Sequence, residues 1–220
     1  MRTRMLPAGE RGILIEAPDL AEVLAVNELI KDMIRGGDEP WTHIVDIIPA
    51  AVTVYVSVDD AKHTNQVGQA LFGLTTALSF RDTMVDRKPD EEGTEVVEVP
   101  VIYDGPDLAD VAELTGLSID EVIAAHTATP WRMAFGGFAP GFGYLVDGDP
   151  RLEVARRSSP RTAVPAGAVG LAGRFSGIYP RESPGGWQLI GRTSTPMWDP
   201  NRTPPALLQP GWFVKFVQEG

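Results

Sequence analysis

The side chains best suited to chemistry in this chain are arginines: nine of the ten basic residues at positions 111–220 are arginine rather than lysine. A planar guanidinium grips carboxylates and phosphates with a two-pronged fork, so the bias points either to a small anionic ligand or to surface ion pairs. Arg161 and Arg174 stand out because they lie inside glycine- and proline-rich stretches rather than on a regular solvated helix face. They are candidate catalytic residues, able to stabilise negative charge developing on a reacting carbonyl. His126 closes a predicted helix, where the dipole would favour a cationic imidazole and where a proton-transfer group could also be held. The other histidines, His43 and His63, fall in different predicted elements and make no His-Glu-x-x-His face, so no metal ligands are evident and zinc is not expected.

Several kinds of self-contained catalysis are excluded by residue type and spacing. No Gly-x-x-x-x-Gly-Lys-Ser/Thr run cradles a phosphate, and residues 173–177 (GRFSG) have the wrong spacing for a nucleophile elbow. Ser158 and Ser159 lack the activating lysine of a serine amidase, since Lys31, Lys62, Lys88 and Lys215 belong to no such motif. With no cysteine there is neither a disulfide nor a thiolate, and the cytoplasm is the expected compartment. The longest apolar run among the first 17 residues, 13–15, is too short for a signal peptide or a membrane span. A net charge of −11 argues against nucleic acid as a partner.

The elements that must position these residues fall into two differently constituted halves. Residues 1–110 hold 21 Asp and Glu against 9 Lys and Arg, and residues 111–220 hold 9 against 10. A 43% apolar content is enough for a real core. Residues 10–16 read as a strand. A helix follows, capped by Asp19 with Glu22 as reciprocal partner and stopped at Gly36-Gly37. Strands at 44–49 and 52–58, a helix over 61–79, a charged segment at 81–93 and a β-rich run at 94–103 complete the order β-α-β-β-α-β. That order predicts an α+β, ferredoxin-like domain over 1–103, with two helices on one face of a four-stranded sheet. Asp104-Gly105-Pro106 marks the boundary to a second domain, 104–220. It opens with two short helices, 107–115 and 118–126, the latter with the capping box Ser118 to Glu121. From Trp131 onward, short apolar runs between glycines and prolines predict a β-barrel ending in an alternating strand over 212–217.

Three stretches of the second half are specific: residues 135–145 (FGGFAPGFGYL), 159–170 (SPRTAVPAGAVG) and 183–193 (SPGGWQLIGRT). With LLQPG at 207–211 and a looser likeness through the first 100 residues, they resemble the Kip inhibitor-like family. That family is also called allophanate hydrolase subunit 1, or the carboxyltransferase C and D subdomain, and many members are assigned as the B subunit of 5-oxoprolinase. The resemblance implies a ferredoxin-like domain followed by a cyclophilin-like β-barrel. It further implies a paired C subunit (Kip antagonist-like, allophanate hydrolase subunit 2) and a separate A subunit, the assembly opening 5-oxoproline to glutamate at the expense of ATP. The ATP site would be shared with, or supplied by, a partner. Two other roles carried by the family are a subunit of the urea and allophanate pathway and an inhibitor of a histidine kinase. The chain departs from the family pattern at Gly143, where proline is usual, and at Arg174-Phe175, where Gly-Gln is common.

The substrate expected from these motifs is a small anionic amide. Gly137 and Gly141 would let backbone amides approach an anion or an amide oxygen, or serve a loop that needs positive φ, with Pro140 shaping the turn. Phe138, Phe142 and Tyr144 would wall a flat lactam ring or fill core. Ser183, Gly186 and Gln188 offer a hydroxyl, a close backbone approach and an orienting amide, beside a packing Trp187.

Overall fold

A hairpin of β1 (Arg4–Pro7) and β2 (Gly12–Glu16) opens the chain and leads into α1 (Leu20–Gly36). The structure, a computed structural model, describes residues 3–77, 89 and 95–220, and the chain divides into two units, Met1–Asp86 and Arg87–Gly220. Helix α1 carries the predicted Asp19 cap, while the Glu22 carboxylate, expected to return the bond, accepts from the Thr3 hydroxyl. The Asp19 carboxylate accepts the Glu22 N–H at 2.9 Å, and Gly37, in the left-handed region, donates to the Ile34 carbonyl. Strands β3 (Ile44–Pro49) and β4 (Thr53–Val58) follow, then α2 (Thr64–Ala77). Ile13 and Ile15 of β2 lie opposite Val56 and Val54 of β4 on one face, buried with Val23, Val26 and Ile30 of α1 and Val67 and Leu71 of α2.

This antiparallel sheet runs β1-β2-β4-β3, and it corrects the expected ferredoxin-like assignment in one place. The strand expected after the second helix is absent from it. The edge beside β2 is taken by β1, which arrives through a short hairpin closed by Ala8 N–H to Gly12 O at 2.9 Å. Short loops close at little entropic cost, so the local partner holds the edge. Strand β5 (Val96–Val101) instead pairs in parallel with the last strand of the chain. Residues 96–101, expected to end the first domain, thus belong to the second unit. Leu78, Ser79, Thr94 and the predicted charged segment 81–93, residue 89 excepted, lie outside the described residues.

Asp59, directly after β4, brings together His43 and His63, which the sequence placed in different elements.

In the second unit, β5 is followed by α3 (Leu108–Thr115) and α4 (Ile119–Ala128), the latter carrying the complete Ser118–Glu121 capping box. Then come β6 (Trp131–Gly136), β7 (Gly143–Val146), β8 (Arg161–Val164), β9 (Ala168–Ala172), β10 (Phe175–Ile178), β11 (Ser183–Gly185), β12 (Gln188–Arg192) and β13 (Phe213–Gln218). Seven of the described strands form one sheet, β12-β9-β10-β7-β6-β13-β5. Reciprocal 2.9 Å backbone bonds between Ile102 and Arg192 bring its two ends together, so the sheet is a nearly closed barrel consistent with a cyclophilin-like fold. Val99, Val101, Leu145, Leu171, Ile190 and Phe216 fill it. A separate pair, β8 with β11, carries Arg161 and Ser183. Among the described residues no helix is long and apolar enough to cross a membrane.

Gly105 lies flat on β12, its N–H donating to Ile190 O at 3.2 Å, and a Cβ there would stand 2.3 Å from the Leu189 carbonyl oxygen. Backbone cannot swing aside as a side chain does. Gly105→Ala should therefore cost about 3 kcal/mol, the upper end of ordinary overpacking. Gly68→Ala in α2 meets only Ile13 Cδ1 at 3.7 Å and should be neutral or stabilise by about 0.5–1 kcal/mol. Urea unfolding of the two variants checks the contrast, and equal midpoints would contradict it.

Candidate functional site

Between β6 and β7 the chain folds back on itself. Gly137 N–H donates to Phe142 O at 3.2 Å, Ala139 N–H to Gly137 O at 2.7 Å, and Phe142 N–H to Ala139 O at 2.9 Å. Phe138, at the tip, has φ +66° and is 56% exposed, an unfavourable backbone state and an unfavourable environment for an aromatic residue. Phe142 points inward, edge-on to Trp187 at 5.3 Å and to Tyr179 at 5.5 Å, while Tyr144 stacks on Phe135 at 4.5 Å. Of the three aromatics expected to wall a ligand, Phe142 is core, Tyr144 is half-buried and Phe138 projects into solvent.

Trp187 and Tyr179 connect this aromatic cluster to charge. Arg161 Nη1 lies 3.5 Å from the Trp187 carbonyl, and its Nη2 donates to Asp107 Oδ1 at 2.6 Å. Arg157 Nη1 donates to the same oxygen at 2.6 Å, and the Leu189 N–H binds Asp107 Oδ2 at 2.7 Å. One buried carboxylate thus orients two guanidiniums. Burial raises the pKa of the Tyr179 phenol, while Arg156 and Arg161 pull it the other way. Gln188, buried at the start of β12, donates through Nε2 to Ala155 O at 3.2 Å, and its Oε1 has no partner among the described residues. It lines a hollow of about 650 Å³ with Asp110, Glu113, Arg156, Arg157 and Ser158. Gly186 accepts the Arg157 N–H at 2.9 Å, and Ser183 Oγ donates to Arg181 O at 3.1 Å.

The structure does not unite all the expected residues. Gly137, Pro140, Gly141 and Phe142 line a second hollow of about 320 Å³ together with Leu208, Gln209 and Pro210. Arg174, exposed between β9 and β10, lines a third hollow of about 200 Å³ with Asp147, Asp149 and Glu153. Arg174 and the 136–144 loop thus line different hollows, and Arg161 lines neither of them. The expectation for His126 is corrected as well. It is 0% exposed, with Nδ1 at 2.7 Å from the Tyr103 hydroxyl, Nε2 at 2.9 Å from Ser176 Oγ, and its ring stacked on Phe216 at 4.2 Å. Burial lowers its pKa to about 3, which makes it a neutral core imidazole rather than a helix-end cation or a solvent-linked proton carrier. Burial also raises the pKa of Tyr103.

Asp107, Arg156, Arg157 and Tyr179 were missed by sequence reasoning. An aspartate ahead of a helix reads as an N-cap, yet the Asp107 side chain makes no cap bond and turns to the arginines instead. The only local signal was the Arg156-Arg157 pair. The assembled groups amount to guanidinium and amide donors beside aromatic surface, suited to holding a small carboxylate.

Residues 3–208 match the family model described as carboxyltransferase domain, subdomain C and D. The chain belongs to this family. A similar family member, the 5-oxoprolinase B subunit of Bacillus subtilis, is 36% identical over 205 residues, covering 88% of this chain and 85% of that protein. The 5-oxoprolinase B subunit of Escherichia coli O157:H7 is 46% identical over 132 residues, 59% of this chain and 61% of that one. Among solved structures, TTHA0988 aligns with a TM-score of 0.72 at 34% identity, covering 96% of this chain. The chain spans 40% of the length of TTHA0988.

Proposed function

We propose that this chain is the B-type subunit of an ATP-dependent 5-oxoprolinase, acting with an A subunit and a Kip antagonist-like C subunit. Water adds across the lactam C–N bond of 5-oxoproline to yield glutamate, and ATP cleavage drives the opening. The observation that carries this reading is the Asp107-ordered Arg157, which lines one hollow with Gln188, whose Oε1 has no hydrogen-bond partner among the described residues, while Arg161 shares the same carboxylate. Guanidiniums match the substrate carboxylate, and an amide acceptor matches a lactam N–H. His126, the histidine of this unit, is sealed in the core and does not serve as the base that activates water. No phosphate-cradling loop is present in the sequence, and the nucleotide is assigned to the assembly.

The test is reconstitution. The purified chain with ATP and 5-oxoproline should release no glutamate, and the chain co-purified with its A and C subunits should. In the assembly Arg161→Ala should lower kcat/KM by about 10²-fold, as expected for loss of a charge-stabilising donor. Full activity of the isolated chain would overturn the proposal, and ATP turnover supported by urea or allophanate but not by 5-oxoproline would replace it with the urea-pathway role.

A further inference from the structure

We propose that His43, Asp59 and His63 form a binding site for one divalent transition-metal ion of the zinc class. Asp59 lies 16 positions after His43 and 4 before His63, and the main chain sets all three. Asp59 N–H donates to His43 O at 3.0 Å, where the β3–β4 ladder ends. His63 closes a 3₁₀ turn, Ala61–His63, whose Asp60 cap accepts the Lys62 N–H at 3.0 Å, and its own N–H donates to Asp60 O at 3.0 Å. His43 closes a second such turn, Trp41–His43, through its N–H to Pro40 O at 3.2 Å. Three side chains are thus aimed by backbone that local hydrogen bonds already hold, which is the preorganisation a metal site needs.

The donor atoms are gathered close together. His43 Nδ1 lies 3.1 Å from Asp59 Oδ2, His63 Nδ1 lies 2.7 Å from Asp59 Oδ1, and one ligand atom from each residue falls within 4.8 Å of the others. Ligands 2.0–2.2 Å from a tetrahedral ion stand roughly 3.3 Å apart, close to the two imidazole–carboxylate separations in the cluster. The two rings stack at 3.5 Å with 21° between their planes, so they must turn for both Nδ1 lone pairs to converge on one ion. Neutral imidazole and ionised carboxylate are the forms a metal takes. Glu39, 71% exposed, approaches His43 at Nε2, the other ring nitrogen, at 4.0 Å and is not a ligand. Two imidazoles and one carboxylate select zinc, cobalt or nickel over magnesium or calcium, and water takes the fourth position. The bound ion would fasten the end of the β3–β4 hairpin to the start of α2. It belongs to a different unit from Arg161 and does not depend on the proposed reaction.

The full chain, stripped with a chelator, is titrated calorimetrically with Zn²⁺ and with Mg²⁺, and spectroscopically with Co²⁺. One Zn²⁺ per chain, no heat from Mg²⁺, and a visible Co²⁺ band of four-coordinate type that Zn²⁺ abolishes are expected. Asp59→Asn should weaken Zn²⁺ binding at least about tenfold, with the metal-free protein still folded by circular dichroism. His63→Gln supplies the same test if Asp59→Asn does not fold. No saturable Zn²⁺ binding, equal binding of Mg²⁺, or unchanged affinity in a folded variant would overturn the site and leave the cluster a hydrogen-bonded clamp.

Discussion

Lowering the pH from 6.5 should destabilise the second unit by about 1.4 kcal/mol per pH unit, because of His126 alone. The folded imidazole stays neutral down to about pH 3, since burial opposes its charged form, while an unfolded histidine takes its proton near 6.5. Over that window the unfolded chain binds the extra proton, so stability falls as pH falls and is fully retained above 6.5. Across the whole window the loss amounts to roughly 5 kcal/mol, comparable to the entire stability of a modest domain. Urea unfolding at several pH values between 7.5 and 4.5 measures the slope. His126→Gln can still serve the Tyr103 and Ser176 hydroxyls but cannot titrate, so its slope should be shallower by about 1.4 kcal/mol per unit below pH 6. Identical slopes in the two proteins would show that His126 is not the source.

The second large effect is expected at Asp107. Asp107→Ala leaves the guanidiniums of Arg157 and Arg161 without their shared acceptor and strips the Leu189 N–H of its partner. Breaking a buried pair from one side costs about 3–5 kcal/mol. Both arginines keep part of their water, with side chains 32% and 23% exposed, which sets the expectation at about 3 kcal/mol. Asp107→Asn keeps an acceptor for Leu189 and should lose less. A lowered urea midpoint in that order checks the argument, whereas a change below about 1 kcal/mol for Asp107→Ala would mean that the arginines are held by other groups.

Much of this fold was legible locally. The caps of α1, the capping box of α4, the alternation of β4 and the barrel-forming half all appear where periodicity and turn residues placed them. The β-rich run over 94–103 does form a strand, but in the barrel rather than in the first sheet where the element order placed it. Its own residues cannot say which edge accepts it. β1 competes for the edge beside β2 through a short hairpin, while β13, more than a hundred residues away, offers the other. The site shows the same limit: the Arg161 motif was visible, but its organising carboxylate lies 54 positions earlier, in a place that resembles a helix cap.

The amino-acid sequence by itself determined the element types, the arginine-rich second half and the family, since each is written in patterns spanning a few residues or in contiguous motifs. Only the tertiary structure decided that Asp107 serves two arginines, that His126 is sealed from solvent, and that Asp59 gathers His43 and His63. Helical and strand periodicity act over three or four residues, whereas burial and charge pairing depend on which surfaces the folded chain presses together, and that information is distributed over the whole polypeptide.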